Sequence, residues 1–291
     1  MPPLPRGLPV VDHHCHLSPS GEGVGAARRF RAAGGTHLFL ATQNYSGRLP
    51  SSVDAYADQF ETTLELARRV REEAGVVVYP VIAPYPVDLV EAVARLGAEA
   101  AVRLQRSALD VAGKLVRERR AVALGEVGRP HFAVAPEVER VAEEVLQYAF
   151  EVARDVHCPA VVHCGDLDPA GYRELAELAR RAGLPSTKVV KHYARARRTS
   201  GERAGVVPSY LARRDLVREV EKDAPPWFLE TDYLDDPRRP GAVLDLETVP
   251  RRAISAVTRD PAAAQHLWVP FVESVEQVYG WRPEVDGGDT P

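Results

Sequence analysis

Short apolar runs alternate with longer amphipathic stretches along the whole chain. The apolar runs are VVDHH (10–14), THLFLAT (36–42), VVVYPVIA (76–83), AVALGEVG (121–128), AVVHCG (160–165), KVVKHYA (188–194), VVPSY (206–210) and WFLETDY (227–233). They are rich in β-branched residues and end at Gly, Pro or a polar turn, as buried strands do. Between them the apolar spacing changes to that of helices. The clearest case is 137–157, where Val138, Val141, Val145, Val152 and Val156 mark one face between Pro136 and Pro159. The stretches 54–74, 87–97, 108–120, 171–183 and 211–222 share that period. The Pro- and Arg-rich stretch 235–252 reads as irregular.

Eight strands separated mostly by helices predict right-handed βαβ units on a parallel sheet. No Gly-rich fingerprint joins the first strand to its helix, so a nucleotide-binding doubly wound sheet is disfavoured. The expectation is an α/β fold, a TIM-like (β/α)8 barrel formed by a single domain over 1–282. Over 194–210 two strands are joined by a loop with no helical pattern, so the barrel is expected to be distorted. The tail PEVDGGDTP (283–291) reads as disordered.

Composition narrows the partners. A formal charge of -4 and a pI near 6.2 give no overall attraction to nucleic acid or acidic membranes. An anionic substrate therefore requires a local basic patch. Three cysteines without a CxxC pair make no disulfide framework. No apolar run is long enough to span a bilayer, and the first residues lack the pattern of a signal peptide. These features predict a cytoplasmic protein that does not engage membranes.

The most concentrated chemistry is Asp12-His13-His14-Cys15-His16. On a strand, residues two apart share a face, so His14 and His16 can grip one cation while Asp12 orients a ligand. His13 points the other way, as a packing residue. Glu126, His163, His192 and Asp232 each fall where a later apolar run gives out. In β/α barrels that is the rim where functional groups gather. Singly, each could cap a helix or bond backbone; together they predict a metal site of His14, His16, Glu126, His163, His192 and Asp232.

The order DxHxH, GEVG, a histidine on the next strand, KHY and ETD resembles the TatD-related family of metal-dependent hydrolases, within the amidohydrolase superfamily. The resemblance runs from Asp12 to Asp232. It implies two divalent cations, the first held by His14, His16 and Asp232, the second by His163 and His192, with Glu126 bridging. Four imidazoles and two carboxylates suit Zn²⁺ or Mn²⁺ better than Ca²⁺. Asp232 is the implied catalytic proton acceptor beside Glu126. Deoxyribonuclease-like cleavage of phosphodiester bonds follows, in a nucleic-acid or small-molecule phosphoester.

The substrate side departs from the family pattern. IAPYP stands where GxHP is usual, Arg129-Pro130-His131-Phe132 where Leu-Asp follows GEVG, and HCGD where an HSR-like run is usual. Arg129, His131, Tyr193, Arg195 and Arg197 are the candidate substrate contacts. Arg195, Arg197, Arg198 and Arg203 read either as a phosphate clamp or as a solvated basic loop. Two other functions stay open: a lactonase, amidase or deaminase on a small molecule, and a non-catalytic metal-stabilised binding protein.

Overall fold

The computed structural model describes residues 4–220, 223–239 and 242–284. All eight expected strands form: β1 (Val11–His16), β2 (His37–Ala41), β3 (Val77–Ile82), β4 (Ala123–Gly128), β5 (Ala160–His163), β6 (Val189–Ala194), β7 (Val207–Leu211) and β8 (Phe228–Glu230). A ninth, β9 (Tyr233–Leu234), follows β8 after two residues. The strands run parallel in the order β8-β7-β6-β5-β4-β3-β2-β1-β9. The result is a distorted TIM-like α/β barrel in a single domain.

Closure depends on a broken strand. β8 pairs with β7 through Leu211↔Glu230, and β9 pairs with β1 through Cys15↔Tyr233. At the break between them a side chain stands in for the ladder. The buried Asp12 carboxylate accepts hydrogen bonds from the Thr231 amide at 3.0 Å and its hydroxyl at 2.6 Å. The Asp232 amide then donates to the His14 carbonyl at 3.0 Å.

The helices cover the outside: α1 (Val24–Ala32), α2 (Val53–Ala74), α3 (Asp88–Leu96), α4 (Ala98–Arg117), α5 (Pro136–Asp155), α6 (Pro169–Arg181), α7 (Arg214–Val220) and α8 (Thr248–Arg259). Their ends follow the sequence. Ser52 caps α2 by accepting from the Ala55 amide, and Gly75 ends it with φ of 63°. Pro136 and Pro169 occupy first turns, where a missing N–H costs nothing. Strand alternation divides the core. Phe39, Tyr79, Val81, Ala123, Val161, Val190 and Val207 belong to one cluster. Their strand neighbours Leu38, Leu40 and Val78 pack instead with Phe30 and Leu66 of α1 and α2.

Several helices differ from expectation. α1 forms although its approach is Gly-rich, and α4 starts ten residues before 108 because 98–107 continues its apolar period. α8 starts inside the stretch read as irregular, since Pro250 sits in its first turn. α7 is shorter than 211–222, of which 221 and 222 lie outside the described residues. As expected, no helix joins β6 to β7 among the described residues. Of the predicted tail only Pro283 and Glu284 are described, and the Glu284 carbonyl accepts from His37 Nε2 at 3.2 Å.

Three ladders slip by one residue in the middle. β1 inserts an extra residue between Asp12 and Cys15, β4 between Gly125 and Val127, and β6 between Lys191 and Ala194. These are β-bulges, which re-aim side chains. They fall on His14, Glu126 and His192.

Candidate metal centre

The six inner candidates come from five places on one rim: His14 and His16 on β1, Glu126 on β4, His163 ending β5, His192 on β6, and Asp232 between β8 and β9. Among the described residues, His14, Glu126, His192 and Asp232 each offer a donor atom, and these lie within 4.8 Å of one another. Glu126 Oε1 is the hub. It lies 2.9 Å from His14 Nε2, 2.8 Å from His192 Nε2, 3.5 Å from His163 Nδ1 and 3.9 Å from His16 Nε2. Asp232 Oδ1 faces His14 and His16 at 3.8 and 3.7 Å.

The backbone makes this possible at some strain. Asp232 and Tyr193 take φ of 48° and 55°, a region non-glycine residues seldom occupy. The bulged His192–Tyr193 peptide is held by buried side chains. Lys191 Nζ donates to the His192 carbonyl, and the Tyr193 amide donates to Glu230 Oε1 at 2.6 Å. On β1, His16 Nδ1 lies 3.2 Å from the Ala41 carbonyl, and the His14 amide donates to Asp12 at 3.2 Å. His13 faces away as expected, stacked on Phe228 at 3.7 Å and hydrogen-bonded to the Tyr279 hydroxyl at 2.9 Å.

The charges are strongly coupled. Burial alone raises Glu126, but the His192, His163 and His14 imidazoles outweigh it and hold its carboxyl well below the usual range. Burial pushes Asp232 well up, reinforced by Glu126, Glu230 and Asp12 against His14. Burial lowers His16 to about 4, so its ring stays neutral with a lone pair free. His14 Nε2 and His16 Nε2 stand 3.2 Å apart, as do His163 Nδ1 and His192 Nε2 at 3.1 Å. Converging imidazole nitrogens around a buried carboxylate are the donor chemistry of a divalent cation, and the residues fit one.

The family model described as TatD related DNase matches residues 11–280. This chain belongs to that family. The uncharacterized protein MJ1127 of Methanocaldococcus jannaschii is 31% identical over 279 residues, 94% of this chain and 96% of its own. The crystal structure of YJJV, a TatD homolog from Escherichia coli, superposes with a TM-score of 0.61 at 19% identity, covering 93% of this chain and 98% of its own. An organophosphorus hydrolase from Deinococcus radiodurans gives 0.58 at 16%, covering 95% and 93%. At these identities the two structures speak for the fold. Membership in the TatD-related family supports a metal-dependent hydrolase.

Above the centre of this TatD-family protein opens a cleft of about 1060 Å³. His131, Tyr193 and Arg195 line it. Arg129 and Arg197 do not: Arg129 is ion-paired with Glu143 of α5, and Arg197 is chelated by Asp223 at 2.6 and 2.9 Å. Arg198 and Arg203 are likewise spent on the carbonyls of Leu167 and Pro226, at 3.4 and 3.0 Å. Of the four clustered arginines only Arg195 stays at the mouth, 3.8 Å from the exposed Asp166. Tyr85, Asp88, Arg238 and Arg239 also line the cleft. Tyr85 lies in the IAPYP run and Asp88 opens α3, while Arg238 and Arg239 follow β9 in the Pro- and Arg-rich stretch. No pattern of residue types marks these four as cleft residues, and their place just after β3 and β9 is the one signal. Among the described residues no helix is long and apolar enough to cross a membrane.

Proposed function

We propose that this TatD-family protein is a cytoplasmic hydrolase with a dinuclear centre that cleaves phosphodiester bonds. The observation that carries this reading is the single Glu126 oxygen set among four imidazoles, with Asp232 opposite, on the floor of an open cleft. His14, His16 and Asp232 would hold one divalent ion, His163 and His192 a second, and Glu126 would reach both; Zn²⁺ and Mn²⁺ suit these donors. Bound there, such ions supply Lewis acidity, polarising the phosphoryl oxygen and acidifying water beside it. Asp232 Oδ1 takes the proton of the attacking water and returns it to the departing oxygen. Arg195 presents a guanidinium to a phosphate at the cleft wall, and Tyr193 closes the same side. The buried Glu230 and Lys191 keep the His192 segment in place throughout.

The withdrawal of Arg129 and Arg197 favours one second reading, a lactonase or amidase acting on a small neutral molecule. A panel of phosphodiesters, lactones and amides, assayed on protein of measured metal content, separates the two. Release of a phosphomonoester supports the first and release of a carboxylic acid the second. Asp232→Asn is expected to lower turnover by at least about 10²-fold while most of the metal stays bound. Wild-type-like turnover in that variant would remove Asp232 from the chemistry.

A further inference from the structure

Three of the four central histidines turn the same nitrogen inward. His14, His16 and His192 present Nε2 to Glu126. His163 is reversed: its Nδ1 faces Glu126 at 3.5 Å and His192 at 3.1 Å, and its Nε2 points outward. That outward nitrogen is not idle. It lies 2.8 Å from Nδ1 of His131, on the loop that replaces the family's usual residues after GEVG.

We propose that His131 is a positioning residue of the metal centre, fixing His163 so that it serves the cation through Nδ1. The proposal rests on the metal-site reading above. A neutral imidazole carries one proton, so a ring that ligates through Nδ1 must carry its proton on Nε2. His131 Nδ1 accepts that proton in a hydrogen bond, which leaves its own N–H on Nε2. The bond matters because this ring sits nearest the cleft. The His163 side chain keeps 13% exposure, against 9% for His16, 2% for His192 and 1% for His14. The remote nitrogen of His16 lies 3.2 Å from the Ala41 carbonyl and that of His192 faces Glu230 at the longer 3.5 Å, so His131 fills for His163 the place the Ala41 oxygen fills for His16. Two edge-on rings complete the clasp. His131 meets His163 at 62° with centroids 5.0 Å apart, and Tyr85 meets it from the loop after β3 at 76° and 5.7 Å.

The test uses His131→Phe, which keeps a ring but removes the acceptor, and His131→Gln, whose side-chain carbonyl can accept the same proton. His131 is exposed, so neither change burdens the core. Zinc affinity is measured by chelator competition, and cobalt loading by its visible absorption, for both variants and for wild type and His163→Ala. H131F is expected to weaken one of two binding steps about 10- to 100-fold and to alter the cobalt spectrum, with H131Q restoring most of both. Unchanged affinity and spectrum in H131F would overturn the proposal, as would equal weakening in H131F and H131Q. If wild type and H163A bind zinc alike, the assignment of His163 to the centre is what fails, whatever H131F does.

Discussion

Removing the Asp12 carboxylate should open the seam of the barrel. Asp12 is fully buried and accepts from three donors: the His14 amide at 3.2 Å, the Thr231 amide at 3.0 Å and the Thr231 hydroxyl at 2.6 Å. Asp12→Ala leaves two backbone N–H groups buried without a partner, at about 1–3 kcal/mol each, while the hydroxyl can turn. A total near 4 kcal/mol is expected, since the two losses share one site and do not add fully. Asp12→Asn keeps one acceptor for the Thr231 amide and offers a donor to its hydroxyl, so it should lose only about 1 kcal/mol. Urea unfolding of metal-free protein, followed by circular dichroism, reads both values. With an m near 3 kcal/mol/M, Asp12→Ala should unfold about 1 M earlier than wild type. A shift below about 0.3 M for the alanine variant, or equal shifts for the two, would refute the idea that this carboxylate replaces the strand ladder.

Other outcomes follow from single contacts. Arg195→Ala should raise KM for an anionic substrate roughly tenfold, whereas Arg197→Ala should leave it within about twofold, because Asp223 already neutralises Arg197; equal effects in steady-state kinetics would contradict the assignment. Gly128 has φ of 149°, and a Cβ there would overlap the His163 carbonyl. Gly128→Ala should therefore cost more than about 3 kcal/mol and impair metal uptake, which thermal unfolding and elemental analysis would reveal. Burial lowers His37 to about 4, opposed by its bond to Glu284. A histidine depressed in the fold stabilises fully above its ordinary 6.5 and loses that contribution as pH falls toward 4, a span of about 3 kcal/mol. His37→Gln should flatten the fall in urea midpoint between those pH values; an unchanged slope would exclude His37 as its source.

The fold was legible where local chemistry and burial agree. Each of β1 to β8 is a β-branched run bounded by turn residues, and such runs have few alternatives inside a domain. β9 was not legible, because two residues carry no period and owe their pairing to the break at Asp232. α1 was obscured by Gly21, Gly23 and Gly25 at its start, although its buried face of Val24, Ala27 and Phe30 decides the outcome. At the site, placement of the inner donors was readable because strand ends define the rim. The outer shell was not. Arg129 and Arg197 are claimed by Glu143 and Asp223, partners 14 and 26 residues away in the chain that no motif announces. The engagement of His163 by His131 was equally hidden, since it depends on which ring nitrogen faces inward.

The bulges in β1, β4 and β6 set foldability against chemistry. A substitution or deletion that regularised pairing at 13–14, 126 or 192–193 would gain sheet hydrogen bonds. It would also turn His16, beyond the first bulge, from the lumen to the helix-covered face, and would remove or re-aim Glu126 and His192, which sit in the other two. Selection for thermal tolerance alone should therefore recover sturdier barrels with an empty mouth, and those three strand interruptions are where such escapees would first appear.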